Sequence, residues 1–219
     1  MTLVLVPTSR EAERLQAVWQ AAGGLPSGAH VALCGFGMVA AAARTAHLVE
    51  TQRPTSVLLV GIAGAYSSGP PIGAALSFGS VVCHGIGAGE GASFLSAAQI
   101  GWPQWAGDST DDLPEIGDRI SLDSSSNSVE TSELLSVCAA SGSVEEAERR
   151  CQRHPLAVAE DMEGFAVALA CRLASAPLRI VRGISNQAGQ RDIGQWRIND
   201  ALVAAADLAL RMLRESLSP

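Results

Sequence analysis

The sequence alternates between short apolar runs and segments with helical periodicity. The apolar runs Leu3–Val6, His30–Cys34 and Ser56–Val60 are separated by the periodic segments Glu11–Ala21 and Met38–Thr51. The third run is continuous, as is typical of a strand that is covered on both faces of its sheet. This order of elements predicts an α/β fold built on a buried sheet.

The same alternation continues through the second half of the chain. Further strands are predicted at Gly79–His84, Leu135–Ala139, Leu156–Ala159 and Leu178–Ile184, and further helices at Val144–Gln152, Met162–Leu173 and Trp196–Leu217. The stretch Gly85–Ser132 is rich in Gly, Ser and Asp and has no clear period, so we interpret it as loops that cover a site. Nothing in the composition divides the 219 residues, and we expect one domain over residues 1–219.

The charged residues exclude several kinds of site and partner. All 15 basic residues are arginines, which excludes a Schiff-base lysine, a pyridoxal-phosphate anchor and a Walker-type phosphate lysine. A formal net charge of -7 disfavours nucleic acid as a partner, because a duplex backbone requires a basic face. We therefore expect the partner to be a small molecule.

The sequence carries no signal for a membrane, for secretion or for a metal. Its apolar runs fall short of the roughly 20 residues of a membrane span, and its N-terminus has no basic region before the first apolar run. The five cysteines are scattered, without a CxxC pair or a Cys/His cluster. We expect a cytoplasmic protein with reduced thiols, no membrane partner, no metal and no other cofactor.

Two segments that contain glycine follow predicted strands. The first, Gly35–Ala40, has the pattern G-x-G-x-x-A, in which backbone amides at a helix N-terminus can approach an anionic or polar ligand. It is a weak dinucleotide fingerprint, because no acidic residue ends the next strand, and a purely structural turn is the alternative. The second, Gly61–Gly64, is predicted to be a turn whose small residues either let the backbone contact a flat ring or serve compactness alone.

Carboxylates cluster where a predicted strand meets a helix, at Glu160, Asp161 and Glu163. The helix dipole explains one or two acidic residues in a first turn. Glu163 precedes the apolar run that should pack in the core, so it needs a partner such as the vicinal hydroxyls of a ligand. Glu11 would face the same crevice from the first turn of another helix, and there too the helix dipole is the alternative explanation.

The last predicted strand ends in Ser185 and Asn186. A neutral amide at this point offers one acceptor and two donors to the crevice beyond the strand ends. Asparagine after a strand is also frequent as a simple turn residue. These residues alone do not decide between the two readings.

In this order and spacing, the segments resemble the nucleoside phosphorylase and nucleosidase superfamily, which includes methylthioadenosine/S-adenosylhomocysteine nucleosidase. The string EDMEGFA, together with RGISN and an RD pair before a Trp, looks most like the futalosine hydrolase branch. The resemblance covers nearly the whole chain. It implies a three-layer α/β/α fold with a central twisted mixed sheet, and a homo-oligomer that is a dimer or larger.

The resemblance also implies roles for particular residues. Glu11 would activate water, with Glu13 as the alternative if the register slips, and Ala63 and Gly64 would line the base and the sugar. Met162 and Glu163 would bind the ribose, and Ser185 and Asn186 would bind the purine. Members that cleave adenine carry Asp where this chain has Asn186, and an amide suits a 6-oxopurine such as hypoxanthine.

The resemblance implies hydrolysis of futalosine to hypoxanthine and dehypoxanthine futalosine, in an alternative menaquinone pathway. Futalosine carries a benzoate, which Arg191 could hold, although Arg191 could instead form a structural pair with Asp192 or another acid. Another purine nucleosidase, such as one that cleaves methylthioadenosine, and an inosine phosphorylase remain alternatives. A non-catalytic protein that binds a nucleoside is a third alternative.

Overall fold

The helices and strands follow the predicted alternation. The computed structural model describes residues 1–108, 113–122 and 132–215. The strands are β1 (Thr2–Val6), β2 (Ala29–Leu33), β3 (Ser56–Ala65), β4 (Ala75–Ser77), β5 (Ser80–His84), β6 (Gly87–Ala88), β7 (Leu95–Ser96), β8 (Arg119–Ser121), β9 (Glu133–Val137), β10 (Ala157–Asp161) and β11 (Leu178–Gln187). The α-helices are α1 (Ser9–Ala21), α2 (Gly37–Gln52), α3 (Val144–Arg153), α4 (Gly164–Leu173) and α5 (Ile198–Glu215).

The long strand β3 organises the sheet. Its first half pairs in parallel with β1, and its last two residues pair antiparallel with β10. Along its other side it pairs in parallel with β11 over nearly its whole length. Strands β9, β5 and β8 continue the sheet beyond β10, whereas β2 lies outside β1. The sheet is therefore mixed, as expected.

Helices cover both faces of the sheet, which gives three layers. Because side chains alternate along a strand, Val4 of β1 packs with α1 and α5 on one face, while Leu5 packs with α2 and α4 on the other. Trp19 of α1 is buried in the first of these layers, and its indole Nε1 donates to the carbonyl of Ala206 in α5 at 3.0 Å. The three-layer α/β/α architecture expected from the sequence is confirmed.

Three predicted boundaries were wrong in ways that bear on the site. Strand β3 does not end at Val60 but runs on to Ala65, so Gly61–Gly64 lies in a strand and is not a turn. Strand β11 likewise continues to Gln187. Helix α4 begins at Gly164, two residues later than predicted, because β10 extends to Asp161. The last two residues of the predicted C-terminal helix, 216 and 217, lie outside the described ranges.

None of the helices in the described ranges has the length and apolar character that a bilayer span requires.

Candidate active site

A cleft of about 710 Å³ opens beside the ends of β3, β9, β10 and β11 and beside the start of α1. All eight residues that the sequence analysis assigns to a site line this cleft: Glu11, Ala63, Gly64, Met162, Glu163, Ser185, Asn186 and Arg191. The alternative acid Glu13 is exposed on α1 and is not among the lining residues. The structure therefore brings the predicted residues together and favours Glu11 over Glu13.

The carboxylate of Glu11 is held at the floor of the cleft by two donors. Thr8, the N-cap of α1, donates its hydroxyl to Oε2 of Glu11 at 2.6 Å. The backbone N–H of Ile62 in β3 donates to Oε1 at 3.2 Å. Glu11 is 9% exposed, and its carboxylate retains acceptor capacity toward the cleft.

A fully buried arginine, Arg182 of β11, lies under the floor of the cleft. Its Nε and Nη2 donate to Oδ2 of Asp161 at 3.0 and 2.5 Å, and Nη2 also lies 3.3 Å from Oε2 of Glu163. Nη1 has no hydrogen-bond partner within the described ranges, and Glu11 acts on this guanidinium through its charge. Three carboxylates thus surround one cation, and the floor of the cleft is negative overall.

The two carboxylates on either side of Met162 make different contacts. Asp161 accepts from Ser136 Oγ at 2.6 Å and from the backbone N–H of Gly164 at 2.8 Å, so it caps the start of α4. Glu163 accepts from the backbone N–H of Gly37 at 3.0 Å and faces the cleft. Burial raises the pKa of Glu163 to about 7, although Arg182 opposes this shift. Capping of α4 therefore explains Asp161, whereas the side chain of Glu163 makes no capping hydrogen bond to α4.

The glycines of β3 make room for polar side chains of β11. A Cβ at position 61 would collide with the guanidinium of Arg182 and would lie 3.0 Å from Oε1 of Glu11. A Cβ at position 64 would lie 3.3 Å from Nδ2 of Asn186. Small residues are needed here because the neighbouring strand places large polar groups against this one, a reason that the sequence analysis did not identify.

The G-x-G-x-x-A segment holds an anion that belongs to the protein itself. Gly35 and Gly37 have φ values of 93° and 79°, in the left-handed region that favours glycine. This conformation starts α2 with the amide of Gly37 directed at Glu163. The helix N-terminus therefore positions a carboxylate of the cleft.

A β-bulge directs Ser185 and Asn186 into the cleft. Ile184 pairs with Ala63 and Asn186 with Gly64, so Ser185 is the extra residue of the bulge. The Ser185 hydroxyl donates to Oδ1 of Asn186 at 2.8 Å, and Nδ2 of Asn186 donates to the Gln187 carbonyl at 2.9 Å. One N–H and one lone pair of the amide remain for a ligand.

Arg191 lies at the exposed rim of the cleft. The pairing with Asp192 that the sequence left open is not formed; Asp192 accepts from the backbone of Gly194 at 3.0 Å and from the side chain of Gln195 at 3.0 Å. Across the described ranges, no carboxylate lies within 4.0 Å of the Arg191 guanidinium. Arg191 is thus available to an anionic ligand.

The expectation that Gly85–Ser132 covers the site was wrong for the residues that the structure describes. In 85–108 and 113–122 and at Ser132, no residue lines the cleft. Phe94 is buried instead, with its ring 5.0 Å from that of His84 and the Arg153 guanidinium 5.3 Å from its centre. This stretch packs at the far side of the sheet because β8 pairs with β5. Residues 109–112 and 123–131 lie outside the described ranges.

The sequence analysis assigned no role to several residues in and under the cleft. Arg182 was noticed only as part of a motif, although an arginine inside an apolar strand requires buried acids, and Asp161 and Glu163 were already in view. The segment Cys138–Gly142 after β9 and the acid Glu160 also line the cleft. In the described ranges, no three His, Cys, Asp or Glu side chains are grouped so that they could hold a metal ion.

Two related proteins match most of the chain. The futalosine hydrolase of Thermus thermophilus is 32% identical over 228 residues, covering 98% of this chain and 96% of its own. The futalosine hydrolase of Streptomyces coelicolor is 30% identical over 188 residues, covering 84% of this chain and 77% of its own. Residues 119–218 match the family model described as the phosphorylase superfamily.

Solved structures share the fold. A 5'-methylthioadenosine/S-adenosylhomocysteine nucleosidase from Neisseria meningitidis, in complex with methylthio-immucillin-A, has a TM-score of 0.74 against this chain. The match is 20% identical in sequence and covers 99% of both chains. At this identity the similarity shows a common architecture.

Proposed function

Given that the chain belongs to the futalosine hydrolase family of the phosphorylase superfamily, we propose that it is an N-glycosyl hydrolase that releases hypoxanthine and dehypoxanthine futalosine from futalosine. The observation that carries this proposal is the placement of Glu11 and Asn186 in one cleft. An acid that can accept a proton from water and an amide that can bind a 6-oxopurine are the two groups that this hydrolysis requires.

Glu11 is proposed as the general base. Water attacks the anomeric carbon while Glu11 takes up one of its protons, and the electrons of the glycosidic bond pass to the purine. The hydroxyl stays on the sugar. The purine anion takes up a proton from solvent to become hypoxanthine, and Glu11 returns the proton that it gained to solvent. Two fixed donors, the Thr8 hydroxyl and the Ile62 N–H, orient the carboxylate before the substrate binds.

The charge of the cleft floor supports hydrolysis over phosphorolysis. As the purine departs, positive charge develops on the sugar, and the carboxylates around Arg182 stabilise it electrostatically. The carboxylate of Glu11, placed to act on the attacking nucleophile, would repel phosphate. Glu163 accepts hydrogen bonds from the ribose hydroxyls beside Met162, and Ala63 and Gly64 leave space for the flat base.

At the rim, Arg191 is proposed to pair with the carboxylate of the substrate's benzoate, since no acid of the described ranges neutralises it.

A homo-oligomer is supported by exposed apolar residues next to the cleft. Leu33, Phe36 and Val39 are 43%, 66% and 87% exposed.

A cytoplasmic location is supported by five free cysteines, since unpaired thiols are typical of a reducing compartment.

The test of this function is hypoxanthine release from futalosine by the purified protein in phosphate-free buffer. Inosine and methylthioadenosine are each tested as the alternative substrate in separate, parallel reactions. We expect release from futalosine without phosphate. Cleavage of methylthioadenosine in preference to futalosine would favour the adenine-cleaving nucleosidases that share the fold. Cleavage of inosine only with phosphate would identify a phosphorylase. Nucleoside binding without turnover would identify a binding protein.

Asn186→Asp is expected to shift the preference from 6-oxopurine to 6-aminopurine nucleosides. A carboxylate loses the donor that a 6-oxo group requires, and the loss of such a hydrogen bond lowers kcat/KM roughly tenfold. The measurement is the ratio of kcat/KM for futalosine to that for its 6-amino analogue. Gln187→Glu, the same change from amide to carboxylate at an exposed neighbour outside the cleft, is the control. An unchanged ratio in Asn186→Asp would remove Asn186 from base recognition.

The raised pKa of Glu163 predicts an acidic limb in the pH profile. With a pKa of about 7, Glu163 becomes protonated as the pH falls below 7 and loses acceptor capacity for the ribose hydroxyls. We expect kcat/KM to fall about tenfold for each pH unit below this value. In Glu163→Gln, activity should be lower throughout and this limb should be absent; a limb that persists in the variant would assign the titration to another group.

A further inference from the structure

Glu160 lies in the wall of the cleft, yet the reaction described above does not use it. It is 4% exposed and pairs with Gly64 of β3, which pairs in turn with Asn186 of β11. Paired residues of adjacent strands form one row across a sheet. Glu160 and Asn186 thus flank Gly64, which carries no side chain, from opposite sides.

Glu160 holds the segment Cys138–Gly142, which follows β9 and lines the cleft. Its Oε1 accepts from the backbone N–H of Ser141 at 2.7 Å, and its Oε2 accepts from the Ser141 hydroxyl at 2.7 Å. The hydroxyl of Tyr66 donates to the same Oε2 at 2.9 Å. Arg150 adds a further contact at Oε2, so three donors meet at this oxygen.

Arg150 of α3 joins this cluster to a second carboxylate. Its Nη1 lies 3.1 Å from Oε2 of Glu160 and donates to the Ser141 hydroxyl at 3.0 Å, while its Nη2 donates to Glu146 at 2.6 Å. Glu146 accepts from the backbone N–H of Gly142 at 2.7 Å. Two consecutive amides of the segment are therefore each fixed by a carboxylate, and one guanidinium fixes both carboxylates.

Two residues of the held segment have no backbone hydrogen bond to the rest of the described protein. Within the described ranges, Ala139 and Ala140 have no backbone hydrogen bond, and both line the cleft. They lie on the β9 side of Gly64, whereas Asn186 lies on the β11 side. A flat base above Gly64 would therefore lie between Ala139 and Ala140 on one side and Asn186 on the other.

We propose that Glu160, paired with Arg150, is a positioning residue that fixes Cys138–Gly142 as the second wall of the base site, opposite Asn186. The inference rests on the proposed function only for the identity of the ligand as a purine base. Because the wall is tied by several short hydrogen bonds in a buried place, it keeps the width of the base site constant. Glu160 thereby acts on the affinity for the base and not on the sugar.

The chain contains a matched control for this cluster. Glu133 of β9 is 2% exposed, forms an ion pair with Arg119, and accepts from the Ser80 hydroxyl at 3.3 Å. It repeats the Glu, Arg and Ser combination of Glu160, Arg150 and Ser141, but it is not among the residues that line the cleft. Both Glu160→Gln and Glu133→Gln should lower the unfolding temperature.

The experiment measures the affinity of each variant for the two products, free hypoxanthine and dehypoxanthine futalosine, by calorimetry and as inhibition constants. In Glu160→Gln we expect hypoxanthine to bind about tenfold more weakly, as for the disruption of a buried hydrogen-bonded group, while affinity for the sugar product stays within about twofold. KM should rise more than kcat falls. Glu133→Gln should leave both affinities unchanged, and Ser141→Ala should reproduce part of the Glu160→Gln effect.

Two results would overturn the positioning role. Unchanged hypoxanthine affinity in a folded Glu160→Gln variant would make the cluster structural only, and an equal loss for both products would indicate general collapse of the cleft. If the wild type binds adenine and not hypoxanthine, the proposed substrate is wrong, but the same comparison with adenine still tests Glu160. A wild type that binds neither base contradicts both proposals.

Discussion

Replacing Glu11 with Gln is expected to lower kcat by roughly 100-fold to 10,000-fold, the range associated with general acid–base groups. The amide is nearly isosteric, and it can still accept from the Ile62 N–H and exchange a hydrogen bond with Thr8. It cannot take up a proton from water. The loss should therefore appear in kcat, with KM changed by only a few-fold.

Two measurements make this result specific to Glu11. Single-turnover release of hypoxanthine separates the chemical step from product release. Glu13→Gln, two residues further along α1 and exposed, is the matched control and should retain full activity. If Glu11→Gln is as active as the wild type, another group activates the water.

Replacing Arg182 with Met is expected to destabilise the fold by about 3–5 kcal/mol, because it leaves buried charges without their partner. The side chain of Arg182 is fully buried, and without it the carboxylates of Asp161 and Glu163 would repel each other with no cation between them. The measurement is the free energy of unfolding in urea. Activity should fall as well, since the same cation balances the acids of the cleft floor.

An exposed ion pair provides the control for Arg182. Arg53 lies 3.8 Å from Glu50, and both side chains are more than three-quarters exposed, so Arg53→Met should change stability by less than about 1 kcal/mol. Adding Asp161→Asn to Arg182→Met should recover part of the lost stability, because it removes one of the unpaired charges. A stable Arg182→Met variant would show that the acids are neutralised in another way.

The sequence was sufficient to locate the cleft, because strand ends in an α/β sheet gather at one edge. Glu11, Glu163 and Asn186 were each found from their position next to a predicted strand or helix, and they line one cleft. Each residue alone had an ordinary structural explanation. Their joint occurrence, and the resemblance that it supports, carried the prediction.

What the sequence did not reveal depends on contacts between distant strands. Glycines at Gly61 and Gly64 suggested a turn, since glycine weakens a strand interior. Their actual cause is the close approach of Arg182 and Asn186 from β11, which no local pattern shows. The role of Glu160 was missed for the same reason, because its partners Tyr66, Ser141 and Arg150 come from three separate parts of the chain.

The position of β11 has a consequence for synthesis on the ribosome. Among the described residues, every other strand of the sheet precedes β11 in the chain, yet β11 pairs along nearly the whole of the central strand β3. Until β11 emerges from the exit tunnel, the nascent chain exposes an unpaired apolar edge, which is prone to aggregation. Arg182 and Asn186 arrive on this same strand, so a translating chain acquires its completed sheet and its competence for a ligand in a single late event.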